Sequence, residues 1–314
     1  MRVVDVLSID TGYAHAVHPL IASGADGEPL LFTIWGNGSE IRRWDVRSGE
    51  VVRRYAEELP GCNDSVLASL PDGRRVLAVA TEDGVERWDA LTGEPLGGVY
   101  PMGKTIWGLA AGALPDGRTV LVGAGHDGTV HRWDPATGEP LGPVLRGHRP
   151  SVLSVGLVRL PTSQAVIVSG DDSGFLRRWD AVTGDPLCEP VLGHASQVDI
   201  IVPLASDGAR RLFASCDSAG EMCLWDAATG EQAGGALTTV ADVYVMATAC
   251  PARTPLLFAA GADGRIAAWN VTTREPVDVS LSGVSVALLD RPDGTVVVAT
   301  GTSRGGITLC SLSG

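Results

Sequence analysis

Residues 133–139 read Trp-Asp-Pro-Ala-Thr-Gly-Glu, and closely similar heptapeptides recur along the whole chain. Successive tryptophans of these heptapeptides lie 44 to 46 residues apart. A seventh copy follows 41 residues after the sixth and has cysteine in place of the tryptophan. Self-similarity at such a period is the signature of a repeat architecture. The seven marker positions are Trp44, Trp88, Trp133, Trp179, Trp225, Trp269 and Cys310.

Each copy contains the local signals of four short strands. In the fourth copy, β-rich or apolar runs cover residues 152–157, 165–169, 176–179 and 186–192. Turn sequences separate the runs: Pro-Asp-Gly at residues 71–73 and 115–117, and Asp-Gly at residues 127–128. We therefore predict one four-stranded antiparallel sheet for each copy.

Stacking seven such sheets radially covers the faces that a lone sheet leaves exposed, so the repeat predicts an all-β, seven-bladed β-propeller. The residue three before each marker is apolar in all seven copies, which indicates packing between blades. The seventh copy has no residues for a fourth strand after Gly314, whereas residues 1–8 precede the first copy. We expect this amino-terminal strand to complete the last blade, within one domain spanning residues 1–314.

The composition is typical of a globular protein and disfavours two classes of partner. The 314 residues are 45% hydrophobic and 19% charged, and 40 glycines and 19 prolines favour short strands with many turns. Acidic residues outnumber basic ones 37 to 24, and a net charge of -13 disfavours nucleic acid and anionic membranes as partners. No signal peptide or apolar stretch long enough to cross a membrane is recognisable, which predicts a cytoplasmic protein. Six scattered cysteines without a Cys-x-x-Cys pair suggest no zinc site or disulfide framework.

The chain resembles the bacterial WD40-repeat β-propellers, because six Trp-Asp or Trp-Asn pairs stand in register over nearly its full length. In that family a histidine, a serine or threonine, a turn aspartate and the tryptophan form a structural hydrogen-bond chain. The family's Gly-His pair survives only at residues 147–148 and 193–194. The resemblance therefore implies structural chains in the fourth and fifth blades, with Asp172 one residue out of the usual register. The residues concerned are His148, Ser169, Asp172 and Trp179 in the fourth blade, and His194, Ser215 and Trp225 in the fifth.

Other motif matches carry little weight. Residues 123–128 fit Gly-x-Gly-x-x-Gly, but they lead into a strand and not into a helix that could bind phosphate. Residues 301–305 fit Gly-x-Ser-x-Gly, yet these too form a turn between strands. His126 and His131 flank one turn, and no acidic residue recurs at ligand spacing, so the structural interpretation is preferred. We predict no metal, no cofactor and no catalytic constellation.

The residue before the marker departs from the family pattern in the first four blades, where it is arginine and not an aliphatic residue. A guanidinium group there could anchor an anionic partner, or could pair with neighbouring acids and pack its stem between blades. The second interpretation is preferred. The four residues are Arg43, Arg87, Arg132 and Arg178.

A second position of the repeat, at the start of each blade's innermost strand and near one mouth of the axial channel, varies from blade to blade. We call this position the variable column. It reads His18, Leu67, Trp107, Leu153, Asp199, Tyr244 and Ala287. Aromatic side chains dominate the energetics of interfaces, so this column predicts a contact surface, to which Trp35 also contributes. The predicted partner-binding residues are His18, Trp35, Trp107, Asp199 and Tyr244.

Two functions follow as hypotheses. The first is a non-enzymatic scaffold that binds a protein or peptide on one end of the propeller. The alternative is an enzyme or small-molecule binder at the channel mouth, with His18 and Asp199 as acid–base candidates and the aromatic residues enclosing the ligand. The absence of any recurring nucleophile–base or metal-ligand spacing favours the scaffold.

Overall fold

The computed structural model describes residues 2–11, 17–24, 28–35, 40–56, 59, 61–97, 105–149, 151–204, 211–237, 242–251 and 254–313. The described residues form two compact units: Met1–Glu58, Leu204–Gly208 and Leu237–Gly314 in unit 1, and Leu59–Pro203 and Ala209–Ala236 in unit 2. The single-domain organisation stays a prediction.

Unit 2 contains four consecutive antiparallel sheets, blades 2 to 5. Blade 2 consists of β6 (Asp64–Ser69), β7 (Arg75–Thr81) and β8 (Gly84–Asp89). Blade 3 consists of β9 (Ile106–Ala113), β10 (Thr119–Gly125), β11 (Thr129–Trp133) and β12 (Leu145–Arg146). Blade 4 consists of β13 (Val152–Arg159), β14 (Ala165–Asp171), β15 (Phe175–Asp180) and β16 (Val191–Leu192). Blade 5 consists of β17 (Val198–Pro203), β18 (Leu212–Asp217) and β19 (Met222–Asp226).

Unit 1 contains the remaining three sheets, blades 1, 6 and 7. Blade 1 consists of β2 (Val17–Ser23), β3 (Pro29–Trp35), β4 (Ile41–Trp44) and β5 (Val51–Ala56). Blade 6 consists of β20 (Val243–Ala249), β21 (Leu256–Gly261), β22 (Ile266–Asn270) and β23 (Pro276–Val277). Blade 7 consists of β24 (Ser285–Asp290), β25 (Val296–Gly301), β26 (Gly306–Ser313) and β1 (Arg2–Asp10).

These sheets confirm the predicted fold class, an all-β propeller of seven antiparallel blades. The amino-terminal strand β1 pairs with β26 and so completes blade 7, as predicted. In blades 2 to 5 a single bridge lies opposite the marker tryptophan, and in blades 2 and 5 it is Trp88 with Pro95 and Trp225 with Gln232.

The recurring heptapeptide forms a closed turn after the third strand of a blade. In blade 4, Asp180 Oδ1 accepts hydrogen bonds from the amides of Val182 and Thr183, each at 2.9 Å, and Thr183 Oγ1 accepts one from the amide of Asp185 at 3.2 Å. Gly184 has a φ of 84°, which only glycine adopts at little cost. The spacing Asp-x-x-Thr-Gly therefore predicts this turn: the aspartate and threonine side chains accept hydrogen bonds from backbone amides, and the glycine adopts the positive φ.

The hydrophobic core lies between neighbouring blades. In unit 2, Val122 and Val130 of blade 3 pack in one cluster with Val155, Ile167 and Trp179 of blade 4. A second cluster joins blades 4 and 5 in the same way, around a buried Trp225. The apolar residues three before each marker are all buried: Ile41, Val85, Val130, Leu176, Met222, Ile266 and Ile307.

Candidate functional site

β-Bulges place three of the predicted contact residues, Trp107, Asp199 and Tyr244, outside the ladders of their strands. The pairing of β9 with β10 passes from Ile106 opposite Gly125 to Gly108 opposite Ala124, which leaves Trp107 outside the ladder. An extra residue of this kind bends its strand and redirects its side chain. The same shift in the innermost strand isolates Leu153 in blade 4, Asp199 in blade 5 and Tyr244 in blade 6.

Trp107 lies in a polar cluster at the junction of blades 3 and 4, which we call the Trp107 cluster: Trp107, His126 and Ser151. Trp107 Nε1 donates a hydrogen bond to His126 Nδ1 at 3.1 Å, and Ser151 Oγ lies 3.1 Å from the same nitrogen and 2.9 Å from the His126 carbonyl oxygen. A neutral imidazole that accepts at Nδ1 carries its proton on Nε2. The exposed His126 therefore offers an N–H donor beside the Trp107 ring, which is 37% exposed.

Blade 2 braces the strand that carries Trp107. Asn63 Nδ2 donates to the Ile106 carbonyl oxygen at 2.8 Å, and Asp64 Oδ2 accepts from the Leu109 amide at 2.7 Å. Burial raises the pKa of Asp64 to about 6, although the amides of Leu109 and Ser65 pull it in the opposite direction. These bonds flank Trp107 on both sides, so its backbone position is fixed from the neighbouring sheet.

In blade 2 the register assumed for the variable column is wrong. Leu67 pairs with Leu77 in the middle of the ladder, so it does not correspond to Trp107. Asn63 and Asp64 occupy that end of the blade. The β-bulge of blade 3 adds one residue that blade 2 lacks, and counting from the first apolar residue could not detect the difference.

The other predicted contact residues are distributed over both units. In unit 2, Asp199 is half-buried, its carboxylate accepts from Gln197 Nε2 at 2.8 Å, and burial raises its pKa. In unit 1, Tyr244 is 58% exposed, and His18 is exposed on β2 opposite Ile34. Trp35 ends β3, and its side chain lies outside the described residues. Among the predicted contact residues whose side chains the structure describes, only Trp107 thus combines an exposed aromatic ring with a polar contact from a neighbouring turn.

A buried hydrogen-bond chain runs through blade 4. His148 Nδ1 lies 2.6 Å from Asp171 Oδ2, His148 Nε2 lies 2.7 Å from Ser169 Oγ, and Trp179 Nε1 donates to Ser169 Oγ at 2.9 Å. The carboxylate is that of Asp171, so the expectation of Asp172 is wrong. Side chains alternate along a strand, so Asp171 shares the face of Ser169, whereas Asp172 is exposed and accepts from Ser173 instead.

This arrangement has the atom order of a serine–histidine–aspartate triad but not its chemistry. Ser169 is 0% exposed, and its oxygen already accepts a hydrogen bond from Trp179. A nucleophilic serine needs access to substrate and a nearby oxyanion site. Burial opposes ionisation of Asp171, but hydrogen bonds from His148 and from the amides of Phe175 and Ser173 keep its pKa below the usual value. The chain therefore holds the blade together.

Blade 5 repeats the chain with one contact missing. His194 Nε2 lies 2.6 Å from Ser215 Oγ, to which Trp225 Nε1 donates at 2.7 Å. His194 Nδ1 lies 3.6 Å from Asp217 Oδ2, too far for a hydrogen bond, and both atoms are buried without a partner among the described residues. Burial lowers the pKa of His194, against the opposing charge of Asp217. Asp217 was not anticipated, although its place two residues after Ser215 was a usable signal.

In blades 2, 3 and 4 the arginine before the marker joins the blade to the next through backbone carbonyl oxygens, and not through the acidic side chains that the sequence suggested. Arg178 of blade 4 donates to the carbonyl oxygens of Ala227 at 3.0 Å, Ala228 at 2.6 Å and Thr229 at 2.7 Å in the heptapeptide turn of blade 5. A Cβ on Gly230 would lie 2.6 Å from Arg178 Nε, so the turn glycine also makes room for the guanidinium. Corresponding bonds run from Arg87 to Pro135 and Thr137, and from Arg132 to Ala181 and Val182.

Comparison with known proteins supports the repeat assignment. Residues 100–134, which contain Trp107, His126 and the marker Trp133, match the family model described as "WD domain, G-beta repeat". The protein is a β-propeller in which one repeat matches the WD40 family model. The crystal structure of the computationally designed Ika8 protein is similar to it, with 18% sequence identity, a TM-score of 0.62 and coverage of 97% of this chain and 99% of that one. At this identity the likeness establishes the fold alone. No protein of curated function matches the sequence significantly.

Two kinds of feature are absent from the described residues. No group of three or more His, Cys, Asp or Glu side chains is placed to hold a metal ion. In the same part of the propeller, no helix has the length and apolar character that crossing a membrane requires.

Proposed function

We propose that this propeller is a non-enzymatic scaffold that binds a protein or peptide through the end of the blades that carries the Trp107 cluster. The observation that carries the proposal is the exposed Trp107 ring on a β-bulge, held by His126 and braced by Asn63 and Asp64. Tryptophan is enriched among interface residues whose truncation costs most binding energy. A ring that is already fixed loses little conformational entropy when a partner covers it.

The neighbouring polar groups suit the rim of such an interface. His126 Nε2–H is a donor, and Ser151 Oγ lies within 3.1 Å of the same ring. Interfaces of this kind combine an aromatic anchor with hydrogen-bonding groups at its edge. A partner with a backbone carbonyl or an amide oxygen beside an apolar side chain would match this pair. A cytoplasmic location remains part of the proposal, on the basis of the sequence.

The test compares two alanine variants with equally exposed starting residues. Leu187, in unit 2, is 38% exposed, close to the 37% of Trp107, and serves as the matched control. Partners captured by the wild-type protein are identified, and their dissociation constants are measured against wild type, Trp107→Ala and Leu187→Ala. We expect Trp107→Ala to weaken binding by about thirtyfold, the effect of a ~2 kcal/mol anchor, and Leu187→Ala to leave it unchanged. Equal affinities for the two variants would rule out the Trp107 cluster as the binding site.

A further inference from the structure

Blade 4 contains a cavity of about 350 Å3 beside the buried hydrogen-bond chain. Its volume is at the lower end of the range of small-molecule sites, roughly 300–1,000 Å3. Two arginines, Arg149 and Arg177, contribute to one wall, while Phe175 and Pro190 supply apolar surface. The segment 147–149 also lines the cavity.

Arg177 is positioned without a carboxylate partner. Its Cζ lies 5.8 Å from the centroid of the Trp179 ring, and a Cβ on Gly147 would lie 2.9 Å from its Nη1. Stacking on Trp179 and the absence of a side chain at Gly147 therefore fix the half-buried guanidinium against the cavity wall. Neither Arg177 nor the exposed Arg149 forms a hydrogen bond or an ion pair with the described residues.

The carboxylate in the cavity wall does not neutralise these arginines. Asp171 is buried, and its oxygens accept from His148 Nδ1 and from the amides of Ser173 and Phe175. Two guanidinium groups thus face one cavity in a chain whose acidic residues outnumber the basic ones 37 to 24. Arginine is the residue that recognises carboxylate and phosphate groups by paired hydrogen bonds.

Blade 5 provides an internal comparison. Ala195 follows its Gly-His pair where Arg149 follows that of blade 4, and Cys223 pairs with Ser215 as Arg177 pairs with Ser169. Glu221 stands in the place of Phe175. The structural chain of histidine, serine and tryptophan is therefore independent of the two arginines. Because blade 4 has Arg149 and Arg177 and blade 5 has no arginine at the corresponding positions, we infer that the two arginines have a role other than folding.

We propose that the blade 4 cavity binds an anionic group, a carboxylate or a phosphate, carried on a small apolar body. Arg177 and Arg149 bind the anion, and Phe175 and Pro190 contact the apolar part. The anion comes either from a free small molecule or from a residue of a bound peptide. This site is separate from the partner anchor at Trp107, so the two proposals fail independently.

The experiment follows the Nε–H resonances of Arg149 and Arg177 by NMR during titration with benzoate and phenyl phosphate. Two blocked tetrapeptides, one containing glutamate and one phosphoserine next to phenylalanine, are titrated in parallel. Binding is expected with a dissociation constant on the order of 1 mM for at least one free anion or peptide. Peptides that bind at least about tenfold more tightly than the free anions identify a partner residue as the source, and the reverse order identifies a small molecule.

Three variants decide whether the cavity is responsible. Arg177→Gln and Arg149→Gln are each expected to weaken binding by about tenfold or more. Arg149 is exposed, so its variant tests the site even if Arg177→Gln impairs folding. Arg159→Gln removes the same charge from the opposite end of β13, about 24 Å along the strand, and is expected to bind normally. No saturable binding up to about 10 mM, or an equal loss in Arg159→Gln, would overturn the proposal. Trp107→Ala is expected to retain anion binding.

Discussion

Blades 4 and 5 contain the same buried histidine, serine, aspartate and tryptophan, yet the two sets are bonded differently. In blade 4 the histidine–aspartate contact is 2.6 Å, and the chain from tryptophan to carboxylate is continuous. In blade 5 the corresponding distance is 3.6 Å, and His194 Nδ1 and Asp217 Oδ2 are both buried without a partner in the described part of the chain.

The difference shows that a repeated residue pattern does not imply repeated energetics. A closed chain satisfies every donor and acceptor that folding removes from water, whereas an open one leaves buried groups that lower stability. Changing the carboxylate should therefore lower the stability of the protein more in blade 4 than in blade 5, although the residues of the two hydrogen-bond chains are nearly equivalent.

The largest expected effect is that of Asp171→Asn. The new amide would direct its N–H group at His148 Nδ1–H, so that two donors would face each other. If His148 carried its proton on Nε2 instead, that proton would point at Ser169 Oγ, which already accepts a hydrogen bond from Trp179 Nε1. We expect the free energy of unfolding to fall by about 3 kcal/mol, as for other broken buried networks. Urea unfolding followed by tryptophan fluorescence measures the change.

Asp217→Asn is the matched variant in blade 5. Its Oδ1 can still accept from the amides of Ala219 and Glu221, and its amide faces a nitrogen that has no hydrogen-bond partner among the described residues. The loss should therefore stay below about 1 kcal/mol. Equal losses in Asp171→Asn and Asp217→Asn would contradict the distinction between a closed and an open chain.

The arginine before the marker also separates the two blades, because blade 4 has Arg178 where blade 5 has Leu224. Arg178→Leu makes blade 4 resemble blade 5 and removes the donors to the carbonyl oxygens of Ala227, Ala228 and Thr229. We expect a loss of about 2 kcal/mol in the same unfolding measurement.

Arg159→Leu, on an exposed arginine of the same blade, is the control and should change stability by less than about 0.5 kcal/mol. If Arg178→Leu were equally neutral, the contacts between the guanidinium and the next blade would contribute nothing to folding, and the anion-anchoring interpretation of this column would return.

Features that the copies of the repeat share could be predicted from sequence, including the pairing of β1 with β26, whereas side-chain contacts specific to one blade could not. The heptapeptide turns and the blade count follow from bonds within a few residues, such as those that Asp180 Oδ1 accepts from the amides two and three residues later. Asp171 could have been found by the two-residue alternation from Ser169. The pairing of His126 with Trp107 depends on a bulge in one strand and a turn in another, and the carbonyl partners of Arg178 lie about fifty residues away. Neither contact is marked by a sequence pattern around the residues that form it.

The smallest expected effect concerns the pH dependence of stability and distinguishes His194 from the rest of blade 5. Burial holds its pKa below the ordinary value, so the unfolded chain binds a proton at a higher pH than the folded one. Its contribution to stability is therefore present above about pH 6.5 and is lost as the pH falls below that value. His194→Gln removes this titration, while its amide can still bond Ser215. The stability difference between wild type and variant should shrink from pH 7.5 to 5.5, by no more than about 1.4 kcal/mol. Parallel curves over this interval, measured by urea unfolding at each pH, would show that Asp217 compensates the burial of His194 despite the 3.6 Å separation.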